Sequence, residues 1–250
     1  IQCRGITRKG RKCKKSVKNF GLDGRVVYCK YHGRQKVRPE LEGASILLFN
    51  HTRSECFAEW IPKYLRGETR KRLQQEMIKP SSRSDSPGYI YVLELAPDDT
   101  NFVKFKVGRS NDVGRRLREW RRQCPSTIPV LKGFFPGDLS EDGFSSMAKL
   151  TMPGPSGPLC HRLERLIHIE LTDLVSNPAY LDQSWPQVDR PRVLDVVNSQ
   201  RASAPCLDCG HCHQEIFRLR RWRNDKREGM EWNLIIIPLL ERWGKYVEQY

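Results

Sequence analysis

The sequence predicts a mixed α/β fold (α+β) in which a small antiparallel sheet is flanked by helices, preceded by a small N-terminal zinc module. Apolar residues alternate along Gly88–Leu95 and Phe102–Val107, and the turn residues Pro97–Asn101 between them predict an antiparallel hairpin. Later segments carry apolar residues at helical spacing. With 250 residues and 38% hydrophobic content, the chain can bury one substantial core.

Changes in composition divide the chain into four predicted parts. These are a basic zinc-binding module at 1–38, a linker with a helix at 39–86, an α/β domain at 87–220 and a C-terminal helical extension at 221–250. No apolar run approaches the roughly 18 residues that a membrane span requires, so we expect no membrane partner.

Positive charge is concentrated at the N-terminus. The formal net charge is +15, and residues 1–38 hold 13 Lys and Arg against the single acid Asp23, which leaves 31 basic and 28 acidic residues elsewhere. A short basic head on a near-neutral body predicts a polyanionic partner, most simply DNA, because a face that serves only solubility mixes both signs. The basic run Thr7–Lys15 fits a nuclear address, although such runs also simply bind phosphate.

The head has the spacing of a metal site. Cys3, Cys13, Cys29 and His32 follow one another as C-x9-C-x15-C-x2-H, in a segment with few large apolar side chains. Zinc bound by three thiolates and an imidazole contributes about 10–16 kcal/mol of folding free energy, whereas free cysteines would leave the segment without a core. The predicted phosphate contacts in this head are Arg8, Lys9, Arg11, Lys12, Lys14 and Lys15.

Glu55–Met77 has helical spacing, broken by Pro62 and weakened by Gly67. Its aromatic and aliphatic side chains predict a buried stripe rather than a ligand-stacking surface: Phe57, Trp60, Ile61, Tyr64 and Leu65.

The predicted hairpin and the helices after it carry the candidate functional residues of the domain. Ile90 and Val92 are expected on one face of the first strand, with Tyr89, Tyr91 and Leu93 on the other. Asn111-Asp112 predicts the start of a helix. Its basic face comprises Arg115, Arg116, Arg118, Arg121 and Arg122. A second helix over Leu159–Val175 makes Glu164 and His168 neighbours at i,i+4.

The segment from about residue 87 to about residue 217 resembles the GIY-YIG nuclease superfamily. Within that superfamily, it is most similar to the phage and fungal branch that is described as DNA-binding. Tyr89-Ile90-Tyr91 corresponds to G-I-Y, and Lys106-Val107-Gly108-Arg109-Ser110 corresponds to Y-I-G-x-S/T. Arg116 corresponds to the helix arginine and Glu164 to the metal-binding glutamate. Two positions depart from the pattern, since Tyr89 replaces glycine and Lys106 replaces the second tyrosine.

The resemblance implies a Mg²⁺-dependent phosphodiesterase. Tyr91 would be the general base, and we expect Lys106 and Arg116 to favour its phenolate form by their charge. Arg116 would also bind the phosphate, and Glu164 would hold one Mg²⁺ at the leaving oxygen. Tyr89 is included in the expected catalytic site. The expected nucleic-acid contacts in this domain are Arg109, Arg115 and Arg118.

A second metal site is predicted in PCLDCGHCHQEIF, where Cys206 and Cys209 form C-x2-C. Fungal members of the branch resemble E-R-L-I-H-x-E-L followed by C-x-x-C-G-x-x-H-x-E-W-F. That resemblance implies zinc held by His168, Cys206, Cys209 and His213. Cys212 or His211 could replace one of these, and Cys160-His161 is a further pair.

The sequence therefore favours a nuclear, Mg²⁺-dependent DNA endonuclease or nickase with two structural zinc sites. The alternative is a non-catalytic module that recognises a DNA structure or a modified base. RNA binding has no sequence feature of its own. Near the C-terminus, packing is expected for Trp243, whereas Trp222 could equally stack on nucleic acid beside its arginines.

Overall fold

The structure is a computed structural model that describes residues 13–15, 57, 59–80, 82, 85–137, 139, 154–189, 205–223 and 226–249. The chain divides into two compact units, Ile1–Arg53 and Ser54–Tyr250. In the first unit Cys13 is buried, and Lys14 and Lys15 are exposed. The other predicted ligands and phosphate contacts of the head lie outside the described residues: Cys3, Cys29, His32, Arg8, Lys9, Arg11 and Lys12.

A four-stranded antiparallel sheet forms the centre of the second unit. Its strands are β1 (Tyr89–Leu95), β2 (Phe102–Ser110), β3 (Pro129–Phe135) and β4 (Ile216–Arg220), in the order β3-β1-β2-β4. β1 and β2 form the predicted hairpin, with Tyr91 opposite Gly108. β4 pairs with β2 although about a hundred residues separate them, so a later segment completes the sheet.

The described residues include four α-helices, which flank the sheet: α1 (Gly67–Met77), α2 (Val113–Gln123), α3 (Cys160–Ser176) and α4 (Ile237–Gln249). α2 begins at the predicted cap, since the Asp112 side chain accepts a hydrogen bond from the amide of Arg115 at 2.8 Å. A 3₁₀ turn at Ala179–Leu181 follows α3, and a π-helical turn at Trp232–Ile236 precedes α4. The mixed α/β class with a small antiparallel sheet flanked by helices is confirmed.

The two faces of the sheet bury different side chains. Ile90 and Val92 belong to a large core shared with α1, α3 and α4. Tyr91 and Leu93 point to the opposite face, into a smaller core with Leu117 of α2. The alternation predicted for β1 is confirmed, and it separates the face beneath α2 from the face beneath α3.

Part of the predicted linker is packed structure. Tyr64 lies in the large core, and its hydroxyl donates to Glu170 of α3 at 2.5 Å. The Nε of Arg66 donates to Asp173 at 2.5 Å, and α1 is joined to α3 again by Arg165 and Glu76 at 2.6 Å. Of the predicted stripe, Phe57, Ile61, Tyr64 and Leu65 are buried and Trp60 is half-buried. The helix α1 covers the later part of the predicted helical segment.

Glu170 connects three segments of the second unit. Its side chain is fully buried, and it accepts hydrogen bonds from Tyr64, from Arg242 at 2.5 Å and from the indole of Trp243 at 2.8 Å. The neighbouring carboxylate raises the pKa of Arg242. A carboxylate in this position ties the segment before α1 and the helix α4 to α3.

Both C-terminal tryptophans pack inside the protein. Trp243 is fully buried, as predicted. Trp222 is 2% exposed, and its indole donates to the carbonyl of Tyr180 at 3.0 Å, so it is a packing residue rather than a stacking surface. Within the described part of the chain, no helix has both the length and the apolar character needed to cross a membrane.

Substitution of Glu170 by alanine is expected to lower the free energy of unfolding by about 3 kcal/mol, because Arg242 and Tyr64 would lose a shared buried partner. Urea denaturation measures the change. Glu248→Ala, at an exposed position of α4, is the matched control and should change stability by less than about 0.5 kcal/mol. Equal losses in the two variants would contradict the role assigned to Glu170.

Candidate active site and metal centre

Four side chains from four different elements converge at one end of the β1–β2 hairpin. Tyr91 lies on β1, Lys106 on β2, Arg116 on α2 and Glu164 on α3. The Nε of Arg116 donates a hydrogen bond to the Tyr91 hydroxyl oxygen at 3.3 Å. The charge of Glu164 acts on both Tyr91 and Lys106. These four residues are the candidate active site.

Gly108 provides the space that the Tyr91 side chain occupies. A Cβ added to Gly108 would lie 2.6 Å from the Tyr91 hydroxyl oxygen and 3.2 Å from Oε2 of Glu215. Neither distance is compatible with a side chain unless the neighbours move. The glycine therefore lets a phenol and a carboxylate approach the same stretch of backbone.

Lys106 is a fully buried cation with two partners. Its ammonium forms an ion pair with Glu215, which directly precedes β4, and it lies 4.6 Å from the ring centroid of Trp120. Burial lowers the pKa of Lys106, and the charge of Glu215 opposes that shift. A buried ammonium of this kind needs both the carboxylate and the aromatic face to remain charged.

The expectation that neighbouring cations favour the phenolate of Tyr91 holds for Arg116, but burial outweighs its effect on the pKa in the free protein. Burial raises the pKa of Tyr91, and Glu215 and Glu164 raise it further, whereas Arg116 lowers it. Tyr91 is only 2% exposed, so loss of hydration dominates the contribution of the guanidinium. The phenol is neutral unless another cation approaches.

Ion pairs hold the charged groups of the candidate active site in place. Glu164, whose side chain is 19% exposed, forms an ion pair with Arg109, whose Nε lies 2.8 Å from the Glu164 carboxylate. Glu119 of α2 contacts Arg115 at 2.6 Å and Arg116 at 3.4 Å. Arg109 therefore neutralises Glu164, while Glu119 orients the arginine that contacts Tyr91.

The domain's other predicted catalytic residue, Tyr89, and the arginines predicted on the basic face of α2 lie in different surroundings. Tyr89 packs edge-to-face on Phe134 at 5.9 Å, and its hydroxyl donates to the Gly154 carbonyl at 2.5 Å. The Tyr89 hydroxyl therefore ties β1 to the backbone at Gly154. Arg115 and Arg118 are exposed on α2, and Arg121 and Arg122 are exposed on its last turn.

A potential metal centre lies beside the candidate active site. Cys124, Cys206, Cys209 and His213 place their ligand atoms within 4.8 Å of one another. The Cys124 sulfur is 3.7 Å from each of the other two sulfurs and 3.4 Å from Nε2 of His213, and Cys209 is 3.3 Å from the same nitrogen. Two thiolates at about 2.3 Å from a tetrahedral ion would be roughly 3.8 Å apart. The group therefore fits a tetrahedrally coordinated metal ion.

The predicted ligand set of this centre is wrong at one position. Cys124 occupies the place assigned to His168, while Cys206, Cys209 and His213 are as predicted. The Nε2 of His168 is 3.0 Å from the Val107 carbonyl oxygen, and its ring packs on Phe217. His168 thus anchors α3 to β2.

The other candidate ligands are also placed elsewhere. Cys212 is exposed, and Nδ1 of His211 is 2.8 Å from the Cys209 carbonyl. The buried Cys160 thiol contacts the Tyr89 carbonyl at 3.6 Å. In the part of the chain that the structure describes, these residues and His161 belong to no metal-ligating group.

The pKa shifts of the potential metal ligands act in different directions. Burial raises the pKa of the Cys124 thiol to about 12, whereas a hydrogen bond with the His211 backbone lowers the pKa of Cys209. Burial and the charge of Lys106 lower the pKa of His213, which keeps its imidazole neutral and able to bind a metal. A bound cation would also stabilise the Cys124 thiolate.

A tight turn presents the ligands that precede β4. The Gly210 amide donates to the Cys206 carbonyl at 2.8 Å, and the Cys206 amide donates to the His211 carbonyl at 3.0 Å. Gly210 has a positive φ of 69°, which glycine adopts without strain. Cys124 is the C-terminal cap residue of α2, so the metal centre joins the end of α2 to the start of β4.

Sequence reasoning missed Cys124 and the role of Glu215. Cys124 stands 82 residues before Cys206, so no local spacing connects it with the C-x2-C turn. Glu215 is the glutamate of the segment that resembles C-x-x-C-G-x-x-H-x-E-W-F, and the sequence assigns it no role. Its position two residues after His213, immediately before a strand that pairs with β2, was the available signal.

Comparison with known families gives one match. A family model described as "Meiotically up-regulated gene 113" matches residues 102–183, which is 82 of the 250 residues. The matched segment runs from β2 to just beyond α3 and contains Lys106, Arg116 and Glu164, but it excludes Tyr91 and the C-x2-C turn. Neither a curated protein nor a solved structure matches the chain.

Cys124→Ser is expected to remove one equivalent of bound metal ion from the full chain after loading with Zn²⁺, because serine offers no thiolate to complete the tetrahedron. His168→Ala should retain the parent amount of metal, since His168 contacts backbone and an aromatic ring. Metal content by mass spectrometry after loading and desalting measures both. Loss of metal from His168→Ala together with retention of metal in Cys124→Ser would instead support the ligand set predicted from sequence.

Proposed function

We propose that this chain is a nuclear DNA-binding protein and a Mg²⁺-dependent endonuclease or nickase of the GIY-YIG type. The convergence of Tyr91, Lys106, Arg116 and Glu164 carries the proposal. Hydrolysis of a phosphodiester needs a base for water, cations for the phosphoryl oxygens and help for the leaving alkoxide. A phenol, a guanidinium and a carboxylate in one cluster offer a group for each requirement.

The divalent cation would be held by Glu164. Within the described segments, the only cluster of three or more metal-ligating residues is the metal centre of Cys124, Cys206, Cys209 and His213, which suits zinc. Mg²⁺ commonly binds through one or two carboxylates and completes its shell with water and substrate phosphate. A single carboxylate at the edge of a cationic cluster is compatible with that mode of Mg²⁺ coordination.

Each protein group has a role in this proposal. Arg116 binds the scissile phosphate through the edge of its guanidinium, and Tyr91 accepts the proton of the attacking water. Lys106 adds positive charge behind the phosphate. A cation at Glu164 would supply the charge that stabilises the phenolate and the leaving oxygen, which the free protein lacks.

DNA is the substrate best supported by charge. The formal net charge is +15, and α2 exposes Arg115, Arg118, Arg121 and Arg122 beside Arg116. Arginines in such a row contact phosphates without reading bases, so they favour binding to the backbone. The basic head, which carries the predicted second zinc site, would add affinity in the same way.

A non-catalytic DNA-binding module is the second candidate, and the state of the free site favours it. Tyr91 has a raised pKa, and Glu164 is already paired with Arg109. In both respects the free site is not ready for cleavage. A DNA phosphate would first have to draw Arg109 away from Glu164, and a divalent cation would have to take the place of Arg109 beside that carboxylate. If that exchange does not occur, the same cluster binds a DNA structure or a modified base without reaction.

Glu164→Gln is expected to lower the rate of cleavage of supercoiled and branched DNA by at least about 100-fold in Mg²⁺, because an amide is a poor ligand for the ion. DNA binding in a shift assay should remain near the parent level. Glu228→Ala is the matched control, since that exposed carboxylate pairs with Arg223 at 3.2 Å away from the cluster. Firm binding by the parent without cleavage of any substrate would favour the non-catalytic module.

The cleavage rate is expected to rise about tenfold for each pH unit between about pH 6 and pH 9. Burial raises the pKa of Tyr91 in the free protein, and its phenolate fraction grows in proportion to hydroxide for as long as the phenolate remains a minor species with cation and DNA bound. Single-turnover rates at saturating protein provide the measurement. Tyr91→Phe should abolish the slope together with the activity, and a flat profile in the parent would exclude Tyr91 as the base.

A further inference from the structure

The metal centre and the candidate active site share two structural elements. α2 carries Arg116 toward Tyr91 and ends at Cys124. The segment with Cys206, Cys209 and His213 continues directly into Glu215 and β4. A cation bound by these four ligands would therefore fix the end of α2 relative to the start of β4.

Glu215 is the link between the two sites. Its carboxylate forms the ion pair with Lys106, and its carbonyl accepts a hydrogen bond from the Val107 amide at 3.0 Å. Its side chain is 37% exposed, whereas that of Lys106 is fully buried. The carboxylate thus covers the ammonium from the solvent side, and it also approaches Gly108 beside the Tyr91 hydroxyl.

An aromatic contact strengthens the same connection. Trp120 of α2 packs on His213 with ring centroids 4.8 Å apart, and the Lys106 ammonium lies 4.6 Å from the ring centroid of the same tryptophan. One side chain therefore contacts both a metal ligand and the buried cation. Displacement of His213 would loosen Trp120 and Glu215 together.

We infer that Glu215 is a positioning residue for Lys106, and that metal binding by Cys124, Cys206, Cys209 and His213 holds it in that position. This inference rests on the proposed function for its catalytic meaning, while its structural content can be tested without activity. The bound metal takes no part in the reaction. It fixes the ion pair that keeps the buried ammonium of Lys106 charged beneath the candidate active site.

Lysine footprinting tests the inference directly. The zinc-loaded full chain and its variants are treated briefly with an acetylating reagent, and the modification of each lysine is measured by peptide mass spectrometry. In the parent, Lys106 should be protected, while the exposed Lys245 should react. In Cys124→Ser, Lys106 should become at least about tenfold more reactive, because the loss of metal opens the local contacts.

Matched variants separate the metal centre from the rest of the protein. Cys13→Ser removes a predicted ligand of the N-terminal module and should leave Lys106 protected. Glu215→Ala should expose Lys106 even with metal bound, whereas Glu215→Gln should restore most of the protection, because its amide oxygen still accepts a hydrogen bond. Unchanged amide exchange at the buried Val92 would show that the sheet remains folded.

Each possible result of these experiments supports or contradicts a particular part of the inference. Protection of Lys106 in a Cys124→Ser chain that has lost one metal equivalent would overturn the coupling, and protection in Glu215→Ala would overturn the positioning role. Metal-dependent exposure of Lys106 in a chain that cleaves no DNA would support the inference while refuting the nuclease. Where cleavage occurs, Glu215→Ala should lower kcat with little change in KM, and Glu215→Gln should recover part of kcat.

Discussion

The buried ammonium of Lys106 is the constraint on which the candidate active site depends. A charged group with no solvent exposure is stable only when an opposite charge or an electron-rich face compensates for the lost hydration. Glu215 and Trp120 provide both. Because one partner precedes β4 and the other lies on α2, satisfying this single charge requires that the sheet, the helix and the metal-ligating turn come together.

The same low-polarity surroundings have opposite effects on two neighbouring groups. Burial lowers the pKa of Lys106 and raises that of Tyr91, so each group is pushed toward its neutral form. The proposed chemistry needs one of them charged from the start and the other deprotonated only when a substrate is present. Under the proposed function, such a site would be inactive in isolation and would acquire its reactive form from the ions that accompany a nucleic acid.

Local patterns predicted most of the fold, and distant pairings were predicted less well. Alternation identified β1 and β2, and the Asn111-Asp112 cap fixed the start of α2, because each signal is contained within a few residues. The resemblance to family motifs pointed to Tyr89, Tyr91, Lys106 and Arg116 on those elements and to Glu164 on α3. The fourth metal ligand could not be found in this way, since Cys124 meets the C-x2-C turn only after α2 and β4 have docked. The pKa of Tyr91 was misjudged because charge can be read from sequence, whereas burial cannot.

The late position of β4 in the chain has a consequence for biosynthesis. During translation, Tyr91, Arg116 and Glu164 leave the ribosome well before Glu215, and the Lys106 pairing spans 109 residues. The nascent polypeptide therefore carries an unfinished cluster until the segment before β4 has been made. Completion of the buried Lys106 pair is in this way a late event in synthesis, coupled to the arrival of the turn that carries Cys206, Cys209 and His213.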